Sequence, residues 1–264
     1  MNDARTIIEP IAGTIPPVSL EEMDSVKLLN RIDSKYVTDA GTLVSLLEDA
    51  RAAGYRALET SGSKVSPYTT VYYDTDSLKM YLDHHNKRLV RQKVRTRIYE
   101  NSGDAYLEIK RKDNHGRTRK KRTPIPSDEL LGFGGDASAC DYLARHSAYT
   151  ADMLQPVLST SFRRITLVNA AMTERLTIDT DVRFSNYRTG LGGSLKDAVI
   201  IELKQDGRYA SQMKGILLDH RVKPLRVSKY CIAETLTDPT AKRNRFKEKV
   251  RSIEKIINDK IESI

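Results

Sequence analysis

Between Val90 and Tyr99 the chain alternates, with Arg91, Lys93, Arg95 and Arg97 on one side of an extended strand and Val90, Val94 and Ile98 largely on the other. The same habit recurs downstream. Tyr106, Glu108 and Lys110 oppose Leu107 and Ile109; Arg175, Thr177, Asp179, Asp181 and Arg183 oppose Leu176, Ile178, Val182 and Phe184; Glu202 and Lys204 oppose Ile201 and Leu203. An antiparallel sheet with one wet face gives such a pattern, but an ordinary wet face mixes in Ser, Thr, Asn and Gln. Long Arg, Lys and Glu side chains on strand after strand predict an α+β fold: a closed antiparallel β-barrel with a charged lumen and helices flanking its outside.

The cationic row between 90 and 99 carries an energetic constraint. Neighbours two apart on a strand sit roughly 7 Å from each other, so each like-charge pair costs about 2.4 kcal/mol at an effective dielectric near 20 and about 0.6 kcal/mol in water. Three such pairs in an enclosed site consume most of a domain's net stability of about 5 to 15 kcal/mol. The face is therefore either open to solvent or built to hold a polyanion.

Further elements follow from the same periodicities. Residues 1–17, with Pro10, Gly13, Pro16 and Pro17, read as an irregular lead-in, and Ser19 with Glu22 forms the pattern of a capping box opening a short helix. Strands are expected at 31–37, 55–58, 68–74, 104–112, 117–125, 156–168, 174–185 and 197–205. Helices are expected at 40–53, closed by Gly54, at 77–84 and at 137–146. In the last segment, Phe246, Val250, Ile253, Ile257, Ile261 and Ile264 repeat at helical spacing among eight Lys or Arg and four Asp or Glu, an amphipathic basic helix.

Composition narrows the chemistry. The 264 residues hold 44 Lys and Arg against 35 Asp and Glu, a net charge of +9 that favours an anionic partner. Cys140 and Cys231 are the only cysteines and lack metal or disulfide spacing, which points to a reducing cytoplasm. The chain starts without a signal-peptide pattern and contains no apolar run of membrane-spanning length, so a soluble protein without a membrane span is expected. There is no GxxxxGK[ST], no HExxH and no GxSxG, and the clusters Gly132, Gly134, Gly135 and Gly190, Gly192, Gly193 read as turns. What remains is Arg, Lys and Glu, the groups that phosphoryl transfer uses to align and neutralise phosphate oxygens.

Arg31-Ile32-Asp33-Ser34-Lys35-Tyr36, Lys93-Val94-Arg95-Thr96-Arg97, Leu107-Glu108-Ile109-Lys110-Arg111-Lys112, Phe162-Arg163-Arg164, Arg175-Leu176-Thr177-Ile178-Asp179, Ile201-Glu202-Leu203-Lys204 and Ser228-Lys229-Tyr230 occur in this order. Together they resemble the signature segments of the VTC-type polyphosphate polymerase domain, over roughly residues 25–235. That domain belongs to the triphosphate tunnel metalloenzyme superfamily, with CYTH-like adenylate cyclases and thiamine-triphosphatases. The chain is thus expected to divide into a lead-in over 1–18, a tunnel domain over 19–237 and a C-terminal amphipathic basic helix over 238–264 packing on the barrel, with docking on a membrane surface or a dimer contact as the alternatives for that helix. The resemblance implies phosphate-contacting catalytic residues at Arg95, Arg97, Lys110, Arg164 and Arg175, phosphate binding by Lys35, Lys120 and Lys229, and metal binding by Glu202. The chain departs from the family pattern at Asp33, Phe162 and His84. It shows neither the SPX-like region nor the membrane helices of the vacuolar relatives.

The implied activity is transfer of the γ-phosphate of ATP onto inorganic polyphosphate with Mn²⁺ or Mg²⁺. The same site with water as acceptor would be a tripolyphosphatase or nucleoside triphosphatase, for which Glu108, Asp179 or Asp181 would be the candidate base. A non-catalytic module for polyphosphate or RNA is the third reading. Nucleic acid is disfavoured by the absence of Trp and the presence of only four Phe, although 13 Tyr leave stacking open. The sequence leaves the oligomeric state open.

Overall fold

The computed structural model describes residues 4–24, 26 and 31–261. In chain order they form α1 (Ala4–Thr14), β1 (Pro17–Val18), α2 (Leu20–Asp24), β2 (Arg31–Asp39), α3 (Ala40–Ala52), β3 (Arg56–Leu58), β4 (Ser66–Asp74) and α4 (Lys79–His85). Next come β5 (Arg91–Tyr99), β6 (Asp104–Lys112), β7 (Thr118–Ile125), α5 (Ala137–His146), β8 (Gln155–Val168) and β9 (Glu174–Asn186). The chain ends with β10 (Gly192–Ser194), β11 (Ala198–Asp206), α6 (Gln212–Asp219), α7 (Lys229–Thr237) and α8 (Asn244–Ile257). The first three residues and Ile264, the last position of the expected apolar stripe, lie outside the described residues.

Local chemistry sets several of the boundaries. The Ser19 N–H donates to the Glu22 carboxylate at 2.9 Å and the Glu22 N–H to the Ser19 hydroxyl at 3.1 Å, the reciprocal capping box expected of α2. Asp39 ends β2 and caps α3 by accepting from the Thr42 N–H at 2.8 Å, and Asp136 caps α5 through the N–H groups of Ser138 and Ala139. Gly192 lets β10 approach β9, because a Cβ there would sit 3.0 Å from the Phe184 carbonyl oxygen.

The long strands lie in the order β2-β11-β9-β8-β4-β5-β6-β7, every neighbouring pair antiparallel. The sheet is a curled half-barrel rather than the closed barrel expected: among the described residues no ladder joins β2 to β7. The free edge of β2 is taken instead by the segment before α7, where the Leu225 N–H donates to the Lys35 carbonyl at 2.8 Å and Tyr36 pairs with Pro224. The edge at β7 carries exposed Arg119 and Lys121 together with Pro124, features that discourage pairing with a further strand. Curling is still strong. Lys110 on β6 feels the charges of Glu202 on β11 and Lys35 on β2, although a flat sheet would hold β6 and β11 about 24 Å apart.

The convex face is apolar and covered by helices. Ile165, Leu167, Leu176, Ile178, Ile201 and Leu203 share a core with Ile8 and Ala12 of α1, Leu43 and Leu47 of α3, and Leu217 of α6. Farther along the sheet, Val71, Val94, Leu107 and Ile109 pack with Phe133 and with Ala139 and Leu143 of α5. Residues 4–14 are thus helical where an irregular lead-in was expected: burial of Ile8 and Ala12 outweighs the backbone bond that Pro10 cannot donate. At one end of the concave face, Tyr230 and Ile232 of α7 and Phe246 and Ile253 of α8 join Val37, Tyr72, Leu158, Phe184 and Ile200 in a further core. No helix among the described residues is long and apolar enough to cross a membrane.

Candidate functional site

The strand register explains why the ionisable residues meet. Across β5, β6 and β7, Lys93, Lys110 and Lys120 stand in one row, and Arg95, Glu108 and Arg122 in the next. Across β9, β11 and β2, Thr177, Glu202 and Lys35 form a row beside Arg175, Lys204 and Asp33. Arg164 of β8 pairs in register with Asp179 of β9. These strand positions share the concave face, and Lys229 at the first turn of α7 is directed to the same place by its ion pair with Asp179.

Three carboxylates organise this face, each held by two cations. Glu108, 1% exposed, is contacted by Arg95 at 2.6 Å and by Lys120. Asp179 takes a bidentate grip from Arg164, at 2.6 and 2.8 Å, together with the Lys229 ammonium. Glu202 lies between Lys35 at 2.8 Å and Lys204 at 3.0 Å. Burial alone would raise all three carboxyl pKa values, but the cations outweigh it and hold each well below the ordinary range. Burial likewise opposes the charge on Arg95 and Arg164, and Glu108 and Asp179 reverse that effect, leaving both guanidiniums firmly protonated.

Beside these clamps stand cations whose partners are neutral. Arg97 is 5% exposed, donates from Nε to the Thr70 hydroxyl at 2.9 Å, and lies 5.5 and 5.6 Å from the ring centres of Tyr68 and Phe162. Those two rings stack at 5.4 Å and also carry the Arg164 guanidinium, while the Lys229 ammonium sits 4.2 Å above Phe162. The aromatic pair is thus a platform under three cations. Burial and the neighbouring Arg95 bring Arg97 down to about 10, and burial, reinforced by Lys35, Lys93 and Arg95, brings Lys110 down to about 8. Burial also lowers Lys120 and Lys229 to about 8, against the pull of Glu108 and Asp179. Even the buried Tyr72 phenol is lowered, because Arg95, Arg97, Lys229 and Lys93 overcome the effect of burial. Among the described residues no carboxylate lies within 4 Å of the Arg97 or Lys110 nitrogens, so the face carries positive charge that its own carboxylates do not match.

The structure therefore brings Lys35, Arg95, Arg97, Lys110, Lys120, Arg164, Arg175, Lys229 and Glu202 to one concave surface. Arg175 stands opposite Lys204 in the β9–β11 register. Asp181 is displaced from it: opposite Phe162, between the pairs Ser161–Arg183 and Arg163–Thr180, β9 bulges by one residue, and Asp181 in that bulge has a φ of 50° and lies beside Arg163, Glu9 and Thr6 of the α1 side. Beyond the bulge Val182 and Phe184 turn into the concave core, so the alternation read along β9 changes phase there. Lys204, Lys93, Tyr68 and Ser228, whose hydroxyl accepts from Lys93 at 2.7 Å, complete the surface without having been singled out as site residues. The cross-strand register was the signal that could have found Lys204.

A resident metal cage is not formed: among the described residues no three His, Cys, Asp or Glu side chains converge. Glu202 nevertheless offers a hard oxygen donor on the cationic face. One such carboxylate suits Mg²⁺ or Mn²⁺ that keeps water and phosphate oxygens as its other ligands.

Comparison with known proteins adds a family and a fold. The model of the VTC domain matches residues 30–237. No curated protein matches the sequence. A candidate adenylate cyclase from Bacillus halodurans superposes with a TM-score of 0.50 at 13% identity, covering 83% of this chain and 99% of that one. A candidate adenylyl cyclase from Hippeastrum, described as having a dominant triphosphatase activity, gives 0.50 at 14% identity over 76% of this chain and 94% of its own. At these identities the likeness is one of fold.

Proposed function

Because the chain belongs to the VTC domain family, we propose that it is an enzyme acting on phosphates: a polyphosphate polymerase that transfers the γ-phosphate of ATP to a polyphosphate chain on the concave face. The observation that carries this reading is the double clamping of the buried carboxylates of Glu108 and Asp179, and of the half-buried Glu202, within an excess of mostly half-buried cations. Arg97, Arg164 and Lys229 on the aromatic platform would hold the triphosphate, with Arg95, Lys110, Lys120, Lys35 and Arg175 along the path of the polymer. Glu202 would hold a divalent cation together with substrate oxygens, and such an ion, when bound, would offset charge on the phosphates.

The terminal oxygen of the polyphosphate chain would attack the γ-phosphorus, forming one P–O bond while the β–γ bridging bond breaks and ADP departs. That oxygen is already anionic at neutral pH, so no group has to remove a proton. Water as acceptor would call for a base. Glu108 and Asp179, bound to two cations each and held far below the ordinary carboxylate pKa, are poor ones, and Asp181 faces elsewhere. This favours phosphate over water as the acceptor. The two unpaired thiols, Cys140 and buried Cys231, suit a reducing compartment such as the cytoplasm.

The test is ³¹P NMR of the protein with ATP and Mn²⁺ or Mg²⁺, with and without a short polyphosphate primer, alongside Glu202→Ala. A growing mid-chain phosphate signal that disappears in the variant supports the polymerase. Free phosphate as the only product identifies a hydrolase, and absence of turnover despite tripolyphosphate binding leaves a binding module.

A further inference from the structure

We propose that Lys110 is a modification site for acyl phosphates: its amine takes the acyl group from a small acyl phosphate whose phosphate is held by the cations beside it. The proposal rests on the part of the reading above that makes the concave face a phosphate site, and adds to it a reactive side chain and a way of switching that site off.

Lys110 differs from the lysines around it in the site. Lys35 and Lys204 are ion-paired with Glu202 at 2.8 and 3.0 Å, Lys120 with Glu108 and Lys229 with Asp179, while Lys93 donates to the Ser228 hydroxyl at 2.7 Å. Among the described residues the Lys110 amine has neither a hydrogen-bond partner nor a carboxylate within 4 Å, and its side chain is exposed. Its neighbours are cationic. It stands in register between Lys93 on β5 and Lys120 on β7, with Cβ atoms of facing residues about 5 Å apart. Partial loss of hydration on the curled face, and then the charges of Lys35, Lys93 and Arg95 set against that of Glu202, bring the ammonium down to about 8.

Only the neutral amine is a nucleophile. At pH 7.5 about a quarter of amines that titrate near 8 are neutral, against about one in a thousand for an ordinary lysine. The same cations that favour the neutral amine attract a phosphate, so an acyl phosphate is drawn to the one unengaged nitrogen that can attack it. The nitrogen attacks the acyl carbon. The C–N bond forms, the C–O bond to the phosphate breaks, and the leaving phosphate carries off the displaced proton. Lys93 and Arg95, beside the amine, offset the charge that gathers on the phosphate as it leaves. The amide left on Lys110 is neutral and can no longer become a cation, so the modified face holds a triphosphate less tightly.

The experiment treats the wild type at pH 7.5 with acetyl phosphate or with the N-hydroxysuccinimide ester of acetic acid, which carries no phosphate, and follows acetylation of each lysine by mass spectrometry. Lys110 is expected to outpace exposed Lys247 and Lys255 of α8, by a lead about tenfold greater for acetyl phosphate than for the ester, and tripolyphosphate should protect it. Treatment with acetyl phosphate should then lower tripolyphosphate affinity by about tenfold or more in the wild type and by less than about threefold in Lys110→Arg. Acetylation of Lys110 no faster than that of Lys247 and Lys255, an equal lead with the ester, absence of protection, or equal losses of affinity in the two proteins overturns the proposal. If the untreated wild type fails to bind tripolyphosphate at all, the phosphate-site reading itself fails, an outcome seen before any treatment and distinct from these.

Discussion

On β6, Leu107 and Ile109 are buried on the convex side with Val94, Phe133 and Leu143. Glu108 and Lys110, their immediate neighbours in sequence, stand on the concave side among Arg95, Lys120 and the charges of Lys93 and Glu202. One strand thus serves two economies. Its outer residues gain free energy by leaving water, whereas its inner residues lose hydration and recover only part of it from one another. Lowered cation pKa values mark where that recovery is incomplete. A face that remains positive after its own carboxylates are satisfied is stabilised further by a bound anion.

Truncation on the outer side gives the largest expected loss of stability. Leu107→Ala, at a fully buried position, is expected to cost about 4 kcal/mol in chemical denaturation, while refolded protein keeps its affinity for tripolyphosphate. A smaller loss is expected from Arg164→Met, about 3 kcal/mol, at the low end for a broken buried pair because Lys229 stays on Asp179. Added tripolyphosphate should restore little of that loss, since the same substitution removes an anion contact. A cost below that of an ordinary surface change would show that the clamp is solvated, and the contrast between the faces would collapse.

The smallest effect is one of pH. The Lys110 ammonium titrates at about 8 in the fold against an ordinary 10.5. Between those values the unfolded chain holds a proton that the folded chain has released, so this group's penalty, fully present below about pH 8, is relieved as pH rises through the window. Phosphate attraction moves the other way, because the neutral amine no longer offers a charge. Comparing wild type with Lys110→Met from pH 7 to 9, the wild type should lose affinity for tripolyphosphate more steeply while its relative stability improves. Parallel affinity profiles would remove Lys110 from the site.

The sheet and the outer helices were legible because their residues are amphipathic: β5, β6, β11 and α5 fall within a residue or two of where their periodicities placed them. Three helices were not: α1, the short α6 and α7. Tyr230, Cys231, Ile232, Ala233, Glu234, Thr235 and Thr237 of α7 are all buried, which leaves no polar face and no 3.6-residue contrast to detect. Pro10 and Gly13 disguised α1, whose order comes from packing against α3 rather than from its own propensity. Closure of the barrel was over-read, since nothing local announces that residues 224–225 will occupy the edge of β2. At the site, alternation identified the cationic face and the resemblance chose residues within it. Which carboxylate each cation serves, and the aromatic platform of Tyr68 and Phe162, depend on contacts between strands far apart in sequence.

The central claim is that the positive charge left over on the concave face is a triphosphate site, and calorimetric titration of tripolyphosphate into wild type and Arg97→Ala tests it most directly. Among the described residues Arg97 has only the Thr70 hydroxyl and two rings as close partners, so its loss should leave thermal stability unchanged or higher while affinity falls by a hundredfold or more, about 3 kcal/mol for a hydrogen bond to a charged group. Undiminished binding in Arg97→Ala, or a loss of binding accompanied by an equal loss of fold, would contradict it.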